Sequence, residues 1–174
     1  MKHRISDRPP EARATLTPAL SRQPGEGAEL ARVLRQIPHT LDIRIYYEDT
    51  DAGGIVYHAR YLAFAERGRT EMLREHGVPL QDLVDQEGLI FVVRGVKMDY
   101  LRPARVDDIL RVSTTPTKLG GAVSLMRQVF SVDGMEVARM DVQLACVRRT
   151  DGRPARIPPR WRQAFAEVQS GSNG

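Results

Sequence analysis

Between Tyr46 and His76 the chain reads YYEDTDAGGIVYHARYLAFAERGRTEMLREH, and the residues able to do chemistry crowd into its first half. Two carboxylates (Asp49, Asp51), two glycines (Gly53, Gly54) and a histidine (His58) fall where a turn meets a helix. A helix N-terminus leaves backbone N–H groups unpaired and carries the positive end of the helix dipole. Glycines ahead of it let a substrate approach the backbone closely. A carboxylate placed as Asp51 is, seven residues before His58, can face a carbonyl whose oxygen rests on those N–H groups. That arrangement suits acyl transfer, with a nucleophile or base on one side and an oxyanion hole on the other. One such donor is worth roughly 3 to 4 kcal/mol in the transition state. Serine and cysteine nucleophiles are poorly supported, because there is no G-x-S-x-G elbow and the single cysteine, Cys146, falls on the apolar face of a strand.

The flanking sequence must position that turn. Leu41 to Tyr47 alternates apolar and polar residues and predicts a half-buried strand. From Ala59 the period becomes helical: Tyr61, Phe64, Ala65, Gly68 and Met72 form one face, widened by Leu62 and Leu73. His76, Gly77 and Pro79 mark the stop. Gly68 inside the helix costs up to about 1 kcal/mol relative to alanine, which close helix–sheet packing would explain. Pro79 to Gly88 reads as a connector with one short helical turn. Strands follow at Phe91–Leu101, Ile109–Thr117 and Val123–Val132, with a tight turn at Gly120-Gly121 and a two-residue hairpin at Asp133-Gly134. The last strand carries Ala138, Met140, Val142, Leu144 and Cys146 on one face. Hairpin-linked strands are antiparallel, so the fold class is α+β rather than a doubly wound parallel sheet. One helix covers one sheet face, which points to oligomer contacts elsewhere.

Composition narrows the classes. The chain has 174 residues, enough for one domain with its own core. Residues 1–40 hold 7 Lys/Arg and 4 Asp/Glu, a net of +3, so only +1 of the total +4 is left for residues 41–174. A nearly balanced domain lacks the basic face that nucleic acid requires. One cysteine excludes an intrachain disulfide framework and fits a reducing cytoplasm. No apolar run reaches the roughly 18 to 20 residues needed to span a bilayer. The N-terminus is basic without a following apolar stretch, so no secretory signal is expected. The domain boundaries are therefore expected at 1–40 (a Pro/Gly-rich, disordered extension with a helical turn or two over Ala28–Gln36), 41–150 (the folded domain) and 151–174 (a tail with a short helix near Trp161–Val168).

YYEDTDAGGIVYHARYLAF with ERGRTEML resembles the opening of the hotdog-fold acyl-CoA thioesterases, in particular the group associated with the Tol–Pal system. The wider relatives are the 4-hydroxybenzoyl-CoA thioesterases. FVVR at Phe91–Arg94 and YLRPARVDD at Tyr100–Asp108 extend the resemblance over about residues 41–150. It implies a hotdog fold, a long central helix wrapped by a five-stranded antiparallel sheet. It also implies an acyl-CoA substrate, no cofactor and no metal, and an active site shared between subunits of a homodimer or homotetramer. Envelope-associated partners follow from the Tol–Pal link. Carried onto this chain, Asp51 is the catalytic carboxylate, acting as nucleophile or general base. The backbone N–H at His58 is an oxyanion donor, with the His58 side chain close by. Asp49, Gly53, Gly54 and Tyr57 match turn-shaping positions, the last three beside the substrate. Gly68 departs from the alanine common in relatives.

Plainer roles compete at several positions. Asp49 reads as a turn residue rather than a catalyst, Glu66 as a structural hydrogen-bonding group, Glu71 as surface and Cys146 as core. His58 could position substrate or cap the helix. Arg102, Arg105, Arg148 and Arg149 could meet coenzyme A phosphates or be solvated. Two rival functions stand beside hydrolysis of an acyl-CoA. One is a magnesium-dependent phosphohydrolase, suggested by D-T-D after a strand but requiring a parallel sheet. The other is a non-catalytic acyl-binding or scaffold subunit.

Overall fold

The computed structural model describes residues 38–170. Strand β1 (His39–Arg44) leads through a 3-10 turn (Tyr47–Asp49) and an irregular loop to helix α1 (Arg60–Glu75). Helix α2 (Leu80–Glu87), strands β2 (Leu89–Tyr100), β3 (Ile109–Leu119), β4 (Val123–Val132) and β5 (Met135–Arg148), and helix α3 (Pro159–Ser170) follow. The strands make one five-stranded sheet in the order β1-β3-β4-β5-β2, antiparallel at every pairing. The expected α+β class holds. Hairpins join only β3, β4 and β5; β2 crosses to the far edge and pairs with β5.

Local chemistry explains the junctions. Asp133 (φ 50°) and Gly134 (φ 78°) both sit in the left-handed region, as a two-residue hairpin turn requires. Helix α1 ends in a Schellman motif: Val78 N–H donates to Leu73 O at 2.9 Å and Gly77 N–H to Arg74 O at 3.0 Å. The connector after Pro79 is a two-turn helix rather than a single turn, because Leu83 anchors it in the core and left-handed Gly88 caps it. Pro116 lies inside β3 at a register shift, the kind of irregularity at which a strand tolerates proline.

Helix α1 is of moderate length, 16 residues, or about 24 Å. Tyr61, Phe64, Ala65, Gly68, Met72 and Leu73 are buried against the sheet. Leu62, expected to widen that face, is 45% exposed. A Cβ at Gly68 would stand 3.0 Å from Val112 Cγ1 and 3.1 Å from Thr114 Oγ1, so close packing accounts for the glycine. Beneath it the buried Gln128 donates to Ala65 O and Thr114 Oγ1, both at 2.9 Å, and accepts from Arg69 Nη1 at 2.8 Å.

The domain limits differ from the sequence reading at both ends. β1 starts at His39, so the strand takes up residues assigned to the extension. The rest of that extension, with the turn or two of helix over Ala28–Gln36, lies outside the described residues. The segment read as a tail contributes to the core, since Trp161, Ala164, Phe165 and Val168 of α3 are buried. Their i, i+3, i+4, i+7 spacing is a helical stripe. Among the described residues no helix is long and apolar enough to cross a membrane.

Candidate active site

The loop between β1 and α1 closes on itself through a bridge between Thr50 and Val56. Asp51 N–H donates to Ile55 O at 3.0 Å, and Gly54 N–H to Asp51 O at 2.9 Å. Gly54 adopts φ +69°, which favours glycine. The Asp51 side chain turns onto its own loop, where Oδ1 accepts from Gly53 N–H at 2.8 Å. A Cβ on Gly53 would lie 3.0 Å from that oxygen. Asp51 Oδ2 accepts no hydrogen bond among the described residues. Asp51, Gly53, Gly54, Tyr57 and His58 are all exposed.

Asp49 has the opposite setting. It is 3% exposed, and Oδ2 accepts from Tyr46 N–H at 2.9 Å. Oδ1 accepts from Arg60 Nε at 2.8 Å and also from Arg60 Nη2. Its carbonyl takes the Tyr57 N–H at 2.9 Å. Asp49 thus ties the loop to the first residue of α1, and both its carboxylate oxygens are engaged. The turn-forming role read from the sequence matches this geometry.

The helix start is held from several sides. Val56 N–H donates to Ala104 O at 2.9 Å, and Arg60 N–H to Tyr57 O at 2.8 Å. Between them the N–H groups of His58 and Ala59 donate no hydrogen bond among the described residues. They sit at the positive end of the α1 dipole. The His58 ring lies 4.4 Å from Tyr57 and 6.4 Å, edge-on, from Tyr100. It is not the capping residue, since the cap position is held by Ala59, whose side chain makes no capping bond. Burial pushes the neighbouring Tyr61 phenol up to about 12 and the Cys146 thiol to about 11, which leaves neither a nucleophile at neutral pH.

The arginines raised as phosphate ligands separate into two groups. Arg102 and Arg105 lie on the 101–108 loop that meets Val56, with Arg102 Nη1 donating to Glu136 O at 2.8 Å. Arg148 and Arg149 lie at the opposite end of the sheet, where Arg148 pairs with Leu89 at the start of β2 and binds Asp151. That is the length of β2 away from Tyr100, roughly 36 Å. Glu66 accepts from Thr70 Oγ1 at 2.8 Å and Glu71 pairs with Arg74, the structural and surface roles read for them. Arg60 and Tyr100 are site residues that sequence reasoning missed. Their partners lie across a loop closure and across 42 residues, beyond any local spacing.

The sequence model of the thioesterase superfamily matches residues 53–138. The acyl-CoA thioesterase YbgC of Haemophilus influenzae is 42% identical over 127 residues, which is 73% of this chain and 93% of that protein. The chain belongs to the thioesterase superfamily. The acyl-CoA thioester hydrolase YbgC of Escherichia coli O157:H7 is likewise 42% identical, over 67% of this chain and 87% of its own. Among solved structures, a probable thioesterase from Bartonella henselae superposes with a TM-score of 0.67 at 39% identity, covering 70% of this chain and 99% of that one. The five-stranded antiparallel sheet with its helices is the superfamily's hotdog fold. The phosphohydrolase alternative falls here, because it needs a parallel sheet and an Asp49 free to share a cation with Asp51.

Proposed function

We propose that this thioesterase-superfamily enzyme hydrolyses acyl-CoA thioesters to free acid and coenzyme A, with Asp51 as catalytic carboxylate and the His58 and Ala59 N–H groups as oxyanion hole. One observation carries the reading: the turn that holds a carboxylate oxygen of Asp51 free among the described residues runs directly into two N–H groups at the start of α1 that are unpaired among them too. The YbgC relatives, named for acyl-CoA, support the substrate class.

The thioester oxygen rests on the two N–H groups, which stabilise the charge that develops as the carbonyl becomes tetrahedral. Asp51 Oδ2 either attacks the carbonyl carbon, giving a mixed anhydride once the thiolate leaves, or takes a proton from an attacking water. Gly53 and Gly54 keep the approach open, while Tyr57 and the His58 ring border the acyl group.

A second copy is part of the proposal. β2 is a 12-residue edge strand whose Val93, Val96 and Tyr100 are exposed, and Leu62 of α1 is exposed as well. Such an edge is covered in a stable assembly, and a homodimer or homotetramer joined there would enclose the open site. A cytoplasmic location fits the single, buried cysteine, and envelope-associated partners rest on the motif resemblance alone. Thiol release over a panel of acyl-CoA chain lengths tests the substrate class. Turnover of at least one chain length is expected; tight binding of acyl-CoA across the panel without thiol release would contradict the reading and favour an acyl-binding subunit.

A further inference from the structure

Tyr100 is the last residue of β2, and its hydroxyl donates to the carbonyl oxygen of His58 at 2.9 Å. That carbonyl shares a peptide unit with the Ala59 N–H. A hydrogen bond on the oxygen of a peptide polarises the unit and makes its N–H a stronger donor. Elsewhere in this segment backbone groups do the holding: Ala104 O at Val56, Asp49 O at Tyr57 and Tyr57 O at Arg60. At the His58–Ala59 peptide the anchor is a side chain. The ring that delivers it is itself fixed, 5.6 Å from Tyr61 and edge-on to His58. Partial burial raises the phenol above its ordinary value of 10.0, so the hydroxyl stays protonated and donating at neutral pH.

We infer that Tyr100 is a positioning residue for thioester hydrolysis: its hydroxyl orients and polarises the His58–Ala59 peptide so that the Ala59 N–H meets the developing oxyanion. The inference rests on the acyl-transfer reading of the turn, and it adds a residue from the far edge strand to that machinery. It also gives the exposure of Tyr100 a reason, since a ring at the rim of the site faces both the peptide and the incoming acyl group.

Tyr100→Phe keeps the ring and its aromatic contacts and removes only the donor. In the full-length protein, kcat and KM are measured with an acyl-CoA substrate. Binding is measured for two coenzyme A analogues, an alkyl thioether that lacks the carbonyl and a trifluoroacetonyl thioether that hydrates to a tetrahedral diol. The expected fall in kcat is about tenfold, less than the 10²–10³ seen when an oxyanion donor is deleted outright. KM is expected to stay within about twofold. Affinity for the tetrahedral analogue falls by a factor similar to kcat, and affinity for the alkyl thioether is unchanged. A lowered melting temperature with wild-type kcat would mean a merely structural bond and would overturn the inference. Equal losses for both analogues would also overturn it, since the hydroxyl would then be binding the ground state. Asp51→Asn is run alongside. Retained turnover in that variant sinks the acyl-transfer reading and this inference with it. An inactive Asp51→Asn beside a fully active Tyr100→Phe sinks the positioning role alone.

Discussion

Helix α1 meets two buried polar clusters. At its first turn Asp49 binds Arg60 and the Tyr46 N–H; at its middle Gln128 binds Arg69, Thr114 and the Ala65 carbonyl. In the middle cluster the buried Gln128 amide is engaged at both its oxygen and its nitrogen. The first-turn cluster is satisfied too, but its effect is to leave others unsatisfied. By fixing the loop and the helix start, it holds Asp51 Oδ2 and two N–H groups where they have no partner among the described residues. Satisfied buried polar groups pin the fold, whereas groups held apart from partners at the surface are available for chemistry. The two clusters should therefore respond differently to substitution.

Asp49→Ala is expected to have the largest effect, because it removes the buried carboxylate that both the Arg60 guanidinium and the Tyr46 N–H bind. Unfolding free energy should drop by about 2 to 4 kcal/mol, and turnover should fall with it as the Asp51 loop loosens. Urea titration and thiol release measure the two. Near-normal turnover would mean that Asp51 is held without Asp49, and the contrast between the clusters would dissolve. Gln128→Leu comes next. It leaves Thr114 and Arg69 without their partner at a cost of about 1 to 3 kcal/mol, while kcat of the folded protein should stay within about twofold. A kcat loss as large as that of Asp49→Ala would show that the middle cluster also shapes the site.

The smallest effect belongs to the solvent-facing side of the sheet, away from both clusters. Hydrogen bonds from Arg127 hold the Asp141 carboxyl below its ordinary value of 3.8, with burial opposing and the charge of Arg127 adding to the fall. A depressed folded value means that the unfolded chain binds more protons near that pH. The pair's contribution is therefore present at neutral pH and lost as pH falls through the depressed value. Asp141→Asn should cost well under about 1 kcal/mol at pH 7, since the pair is exposed and screened. The gap in melting temperature to the wild type should close in acid and in high salt. A gap that persists in acid would mean that the carboxylate charge is not its source.

What was legible in the sequence was local. Asp133-Gly134 and the strand at Val123–Val132 match because a two-residue turn encodes its own geometry. The stop of α1 at Gly77 is equally short-range. The edge position of β2 was not legible, since nothing in Leu89–Tyr100 says which strand it will pair with. The exposure of Leu62 was hidden too, because apolar spacing marks a face without saying whether one chain covers it. At the site, the turn could be read from carboxylate and glycine spacing. Arg60 and Tyr100 could not, because both act through contacts that exist only once the loop and the sheet have closed.

The central claim is that the charge on Asp51, rather than the shape of its loop, does the chemistry. Asp51→Asn separates the two, since the amide oxygen can still accept the Gly53 N–H that Oδ1 now takes. Thiol release and urea unfolding are measured on the same preparation. Turnover lower by about 10³-fold or more, with stability within about 0.5 kcal/mol of the wild type, is the expected result. A folded Asp51→Asn protein that turns over acyl-CoA at close to the wild-type rate would contradict the account.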